Sequence, residues 1–153
     1  MKEKKELVVS AIENGTVIDH IPAQDLFKVI RILKLDKIQN QITFGTNLNS
    51  KKLGKKAIIK VENKFFEQHE INKIALVAKD ANLNIIRNYQ VDKKLKLQIP
   101  QKIEGFVKCI NPKCITNHEK VRTKFEVIDK EKVELKCLYC EKIIDKEHIQ
   151  IIE

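Results

Sequence analysis

An α+β protein in two parts is expected: alternating strands and helices over residues 1–100, then a smaller all-β unit over residues 101–153. Three observations point to this. Strand and helix periodicities alternate along the first part. The pattern gives way after Pro100 to short Val/Ile/Phe runs. All four cysteines lie beyond that break, and none in the first 108 residues.

Leu7 to Ile12 is rich in Val and Ile and reads as the first strand. Asn14-Gly15 follows as a turn signal, and Thr16 to Asp19 continues extended. Pro22 is expected to open a helix, with Leu26, Phe27, Ile30 and Leu33 recurring at helical spacing as its core stripe. Gln41 to Leu48 alternates as a strand and runs into a polar turn at 47–54. Ala57 to Val61 is a short apolar strand with Lys60 embedded in it. Glu67 to Ala78 is expected as the second helix, with Ile71, Ile74, Ala75 and Ala78 on one face. Leu83 to Ile86 is the fourth strand, with Tyr89 to Val91 extending or following it, and Lys93 to Ile99 alternates again. Strand, helix, strand, strand, helix, strand is the split βαβ or ferredoxin-like order, βαββαβ: a four-stranded antiparallel sheet with two helices on one face. The arrangement hosts many functions and names none.

Composition narrows the class. Apolar residues make up 42% and charged residues 33%, a mix that buries a core. Aromatics are only 5% and Trp is absent, so that core must be built from Ile, Leu and Val. No apolar run approaches the roughly 20 residues of a membrane helix, and the charged start Met1-Lys2-Glu3-Lys4 is no signal peptide. A cytoplasmic protein without a membrane partner is expected. The 30 Lys and Arg exceed the 21 Asp and Glu by nine. Residues 1–100 hold 19 of these bases against 11 acids, and residues 101–153 hold 11 against 10. An anionic ligand of the first unit explains that excess, and so does solubility.

The cysteines form two close pairs, Cys109/Cys114 and Cys137/Cys140, with 22 residues between them. Paired knuckles can bring four thiolates to the corners of a tetrahedron around Zn2+. About 50 residues with few large side chains need such a staple. Without a secretory segment disulfides are disfavoured, and a redox role for one pair leaves the other unexplained. A structural zinc, one per chain, in a small zinc-ribbon-like domain is therefore expected. Four thiolates close the shell and leave no open position for catalysis. His118 and His148 read as surface histidines. With the metal bound the small unit turns slightly acidic, which suits a protein partner better than a nucleic acid.

In the first unit Lys60 and Lys94 each follow apolar strand residues and are the candidates to hold a triphosphate. Asp19-His20, just before Ile21-Pro22, suits either a ribose and phosphate contact or the satisfaction of amides at the helix start. Spacing alone favours the latter. An RNA-recognition surface needs aromatics on its central strands, and Lys56 to Glu62 has none. No Gly-rich phosphate loop or nucleophile-base motif is present, so a non-enzyme is expected.

The run Gly15-Thr16-Val17-Ile18-Asp19-His20-Ile21-Pro22-Ala23, the run Ile59-Lys60-Val61-Glu62-Asn63, the pair Asn88-Tyr89 and the cysteine spacing resemble the regulatory chain of aspartate carbamoyltransferase. The resemblance covers nearly the whole chain. It implies a nucleotide-binding allosteric domain and a zinc domain in a homodimeric partner of catalytic chains, assembled as two trimers with three regulatory dimers. It implies inhibition by CTP, with UTP assisting in some members, and activation by ATP, so that pyrimidine synthesis follows the nucleotide balance. It places the effector site on Val9, Ala11, Ile12, Val17, Asp19, His20, Lys56, Lys60, Asn84, Ile86, Tyr89, Val91 and Lys94. Backbone near Ile12 and Tyr89 would read the base, Asp19 and Lys60 would hold ribose and base, and His20 and Lys94 the phosphates. It places the partner interface on the knuckle residues Asn111, Lys113, Tyr139 and Glu141. Glu6 and Ser10 depart from the family pattern, which usually has a lysine and an acid there. The competing class is a zinc-ribbon nucleic-acid binder; a ligand-binding module of another enzyme is a third reading.

Overall fold

A computed structural model describes residues 11–152, so the expected strand at Leu7 to Ile12 falls largely outside the described residues; Ala11 and Ile12 themselves are in no strand. The first unit runs β1 (Gly15–Pro22), α1 (Leu26–Ile32), β2 (Ile42–Ser50), β3 (Gly54–Glu62), α2 (Gln68–Asn72), β4 (Asn82–Arg87) and β5 (Gln90–Leu95). Its sheet has the order β2-β3-β1-β4-β5 with every neighbour antiparallel.

The described sheet thus has five strands, where four were expected. The chain after β4 turns straight back at Asn88-Tyr89, both at positive φ (52° and 66°). Two left-handed residues match the twist of a tight hairpin, so β5 pairs with β4 and does not prolong it. Pro22 does not open the helix. Its φ of −55° and ψ of 132° are extended, it ends β1, and a 3-10 turn at Ala23–Asp25 precedes α1. The second helix is shorter than its apolar stripe. Glu67 and Glu70 form a capping box at its start, and after Asn72 it tightens to 3-10 geometry through Leu76.

One face of the sheet is core. Ile18, Ile59, Leu83 and Ile85 pack with Leu26 and Val29 of α1, with Ile71 of α2 and with Ile74 of the 3-10 turn that follows it. Each such side chain contributes about 1.5–3 kcal/mol by leaving water. Strand alternation then turns Val17, Asp19, Lys60 and Asn84 to the opposite face. Gly15, at φ +143°, lets β1 begin in close approach to β3: a Cβ there would strike the Val61 carbonyl oxygen.

The second unit contains β6 (Lys102–Glu104), β7 (Val107–Lys108), β8 (Lys124–Asp129), β9 (Glu134–Cys137), β10 (Ile143–Ile144) and β11 (Gln150–Ile151). They form a four-stranded sheet, β10-β9-β8-β6, and a two-stranded ladder, β11-β7. Phe125, Ile103 and Leu135 are fully buried and belong to the same apolar cluster as the core of the first unit. Helix α1 lies against β11. Lys79 Nζ donates to the Glu131 carbonyl at 3.0 Å, and the Lys73 ammonium sits 5.1 Å over the Phe106 ring. Among the described residues no helix is long and apolar enough to cross a membrane.

Candidate metal centre and ligand-binding sheet face

The first knuckle is built by Asn111 and Asn117. The Asn111 carboxamide oxygen accepts from the Lys113 amide at 3.0 Å, and its backbone carbonyl accepts from the Cys114 amide at 3.0 Å. Asn117 donates its side-chain amide to the carbonyls of Cys109 (2.9 Å) and Asn111 (2.8 Å). The second knuckle follows β9. Glu141, at φ 66°, turns the chain so that its amide donates to the Cys137 carbonyl at 2.9 Å.

The four sulfurs converge. All lie within 4.8 Å of one another, with Cys109 Sγ to Cys140 Sγ at 3.6 Å and Cys114 Sγ to Cys137 Sγ at 3.8 Å. Tetrahedral thiolates at Zn–S of about 2.3 Å stand roughly 3.8 Å apart, so the donor set fits a four-coordinate metal ion. Cys109, Cys114 and Cys137 are buried, and none of the four is in a disulfide. Burial pushes the Cys109 thiol up to about 12 and raises Cys137 as well. Burial also acts upward on Cys140, but hydrogen bonds from the Asn111 side chain and the Lys142 backbone, together with the Cys109 and Cys137 thiols, bring it down to about 7. A dication here would hold all four as thiolates, the form that ligates.

Beside the metal centre, Asn111 and Lys113 sit on the first knuckle, Tyr139 and Glu141 on the second. Lys113, Tyr139 and Glu141 are exposed and Asn111 is half-buried. The Tyr139 hydroxyl donates to the Arg122 carbonyl at 3.1 Å. Leu138 and Ile143 are exposed apolar neighbours.

On the outer sheet face, register lines up one row across four strands. Val17 of β1 opposes Lys60 of β3 and Asn84 of β4, and Asn84 opposes Lys94 of β5. Lys60 is buried, and that burial lowers its pKa, with the Asp19 carboxylate opposing the shift. Asn84 Oδ1 is buried with no hydrogen-bond partner among the described residues. A buried acceptor left bare costs about 1–3 kcal/mol, which a donor on a bound molecule would recover.

Asp19 is held tightly. Lys56 Nζ approaches Oδ1 at 2.9 Å and Oδ2 at 3.1 Å, and the His20 amide donates to Oδ1 at 2.7 Å. The register of β1 on β3 slips between Ile18 and Ile21, and His20 takes φ 61° in that bulge. The bulge re-aims the imidazole toward Asn82, whose Nδ2 lies 3.0 Å from Nδ1. Asp19-His20 therefore does not cap α1, and no side-chain cap is made at that helix start.

Of the remaining sequence candidates, Ile86 and Ile12 are buried, while Ala11, Tyr89, Val91 and Lys94 are exposed. The Tyr89 amide donates to the Glu13 carbonyl at 2.9 Å, drawing the hairpin toward the segment before β1. Val9 lies outside the described residues. Sequence reasoning missed Asn82; only the register, which sets it opposite Asp19, reveals it. Strand β3 carries no aromatic side chain, and β1 has only the His20 imidazole.

Comparison with known proteins follows the same division. Residues 7–98 match the model of the aspartate carbamoyltransferase regulatory chain, allosteric domain, and residues 101–150 match that of its metal binding domain. Proteins named aspartate carbamoyltransferase regulatory chain are similar over nearly the full length. That of Parabacteroides distasonis is 54% identical, covering 98% of this chain and 97% of the relative. That of Pyrococcus abyssi is 54% identical over 94% and 96%, and that of Porphyromonas gingivalis 49% over 98% and 99%. The convergent sulfurs and these matches lead to one conclusion: the chain belongs to the aspartate carbamoyltransferase regulatory chain family, a non-catalytic subunit with an allosteric and a metal-binding domain.

Proposed function

We propose that this chain senses nucleoside triphosphates on its outer sheet face and passes the result to aspartate carbamoyltransferase catalytic chains through its metal domain. The observation that carries this is the row Lys60–Val17–Asn84–Lys94, which sets two cations and a bare buried acceptor along one line. A triphosphate supplies the anion, and a base or ribose supplies the missing donor. Asp19, His20 and Lys56 extend the site on one side, with Ile86, Tyr89, Val91 and the backbone near Ile12 on the other. CTP and UTP inhibit in this reading and ATP activates.

Residues 1–100 act as the sensing domain and 101–153 as the docking domain. The strand order β2-β3-β1-β4 supports a ferredoxin-like reading of the first, with β5 as an added hairpin arm. Cys109, Cys114, Cys137 and Cys140 hold one structural Zn2+, which supplies a rigid closed shell and no chemistry. Asn111, Lys113, Tyr139 and Glu141 stand on the two knuckles it fixes and meet the catalytic chain. The exposed Phe27–Phe44 ring pair, 6.3 Å between centroids beside the edge strand β2, supports self-association of the sensing domains. Two catalytic trimers with three such dimers form the assembly, in the cytoplasm. Each nucleotide shifts the quaternary equilibrium only by its difference in affinity for the two states, on the order of 1–3 kcal/mol.

The test is reconstitution. Zinc-loaded chain mixed with aspartate carbamoyltransferase catalytic trimers is expected to sediment as a larger complex whose aspartate saturation curve moves in opposite directions with CTP and ATP. Trimers that stay free in the presence of zinc, or a curve indifferent to both nucleotides, would reject this function.

A further inference from the structure

Between Leu95, the last residue of β5, and Lys102, the first of β6, lie only six residues, 96–101. They join the outer sheet face to the second unit and belong to no helix or strand. A segment outside a ladder still has amides and carbonyls to satisfy, and here side chains of α2 answer them. Asn72 Oδ1 accepts from the Gln98 amide at 3.2 Å, and Gln68 Nε2 donates to the Lys96 carbonyl at 3.3 Å. Gln68 and Asn72 stand about one helical turn apart, and Gln68 Nε2 also donates to Asn72 Oδ1 at 2.8 Å. Leu97 and Ile99, at the alternate positions, pack against the apolar core together with Leu95. The segment is thus held on both sides.

Its far end is fastened to the second unit. The Gln101 carbonyl accepts from the Val127 amide of β8 at 2.9 Å, and Gln101 Nε2 donates to the Val127 carbonyl at 3.4 Å. Its near end is β5, where Lys94 opposes Asn84 in the row across the sheet. The residue after Asn72 adds an independent tie, because it is the Lys73 ammonium that sits over the Phe106 ring. The end of α2 therefore grips both the connecting segment and the second unit.

A free six-residue coil would absorb a shift of β5 among many conformations, whereas a pinned segment has little slack and passes the shift on. We propose that Asn72 is the positioning residue of a strap: it pins residues 96–101 so that occupancy of the sheet face at Lys94 is felt at Val127 of β8. Gln68 is the second half of the clasp. This role rests on the sheet face being the sensing site, but the clasp itself is testable without a nucleotide.

The first arm of the experiment follows amide hydrogen exchange by NMR in the zinc-loaded full-length chain. Asn72→Ala is expected to speed exchange of the Gln98 and Val127 amides about threefold to tenfold, the worth of one hydrogen bond. Asn72→Asp keeps an oxygen acceptor and is expected to restore both. Exchange at Val127 that ignores Asn72 overturns the strap. The second arm uses the chain assembled with catalytic trimers. Asn72→Ala is expected to bind CTP within about twofold of the parent, while the CTP-induced shift of the aspartate saturation curve shrinks several-fold and returns in Asn72→Asp. A merely structural asparagine would not give that split. An undiminished shift in Asn72→Ala overturns the proposal. A parent chain that binds no CTP rejects the sensing site instead, and with it the coupling role of Asn72, even where exchange shows the clasp intact.

Discussion

Lys56 Nζ lies 2.9 Å from one oxygen of the Asp19 carboxylate and 3.1 Å from the other, bridging β3 and β1 next to the bulge that presents His20. Both side chains are about one-fifth exposed, so water screens the pair only in part. Asp19→Asn is expected to cost roughly 1–2 kcal/mol in urea unfolding, because the His20 amide and Lys56 lose their charged acceptor together. It should also drop the Lys60 pKa further, since Asp19 opposes the burial shift there. A Lys60 titration unchanged by NMR in the variant would break the link between the two.

Lys60 predicts a pH dependence with a definite sign. Its folded pKa is depressed below the ordinary 10.5 by burial. The neutral amine is thus the form favoured by folding. That contribution is complete above 10.5 and is lost as pH falls through the lowered folded value. Lys60→Met is expected to flatten this part of the stability-pH curve. A bound triphosphate favours the cation, so CTP binding at alkaline pH is expected to take up a proton, read from the buffer dependence of the calorimetric heat.

Lys60→Ala and Lys94→Ala, at the two ends of the row, are each expected to weaken CTP binding by about tenfold to a hundredfold, the worth of one charge-assisted contact. Calorimetry with unchanged affinity in both variants would move the site elsewhere.

Stripping the metal is expected to unfold the second unit. The closest sulfur pairs lie 3.6 and 3.8 Å apart, too near for stable unligated thiolates, and such sites bind zinc with about 10–16 kcal/mol that is folding free energy. Amide signals of residues 101–152 should collapse on chelation while those of β1 to β5 persist. Survival of Phe125 and Leu135 signals in the metal-free chain would mean that the apolar cluster suffices alone.

Asp25 supplies the opposite pH sign. Burial raises its pKa above the ordinary 3.8, against the pull of Lys28 and Lys146. Its contribution to stability is full below 3.8 and is lost as pH rises through the raised folded value. Asp25→Asn is expected to be more stable than the parent at neutral pH; a less stable variant would mean that the two lysines outweigh the burial.

How much of this was legible beforehand depends on the range of the interactions. Periodicity located Leu26, Leu33, Ile71 and Ile74 in the core, because burial on one face writes itself directly into spacing, but Phe27, read on the same stripe, is exposed and meets Phe44 of β2 instead. The knuckles were legible because metal geometry tolerates few ligand spacings. The hairpin at Asn88-Tyr89 was not, since a tyrosine at φ 66° carries none of the Gly signal of such turns. Pro22 misled for a related reason: its fixed φ serves a strand end as well as a helix start. Lys60 and Lys94 were chosen as phosphate candidates from their strands alone, but their alignment through Val17 and Asn84 is a property of register, which no local pattern encodes.

Helix α1 meets β11, and more than a hundred residues separate them along the chain. A ribosome making this polypeptide from its amino end releases the five-stranded sheet well before the strand that covers that side of α1. The nascent sheet must therefore survive for seconds with that flank of the helix wet, and the closing strand arrives as a late latch. Truncation at β11 would thus be felt in α1, the first helix among the described residues.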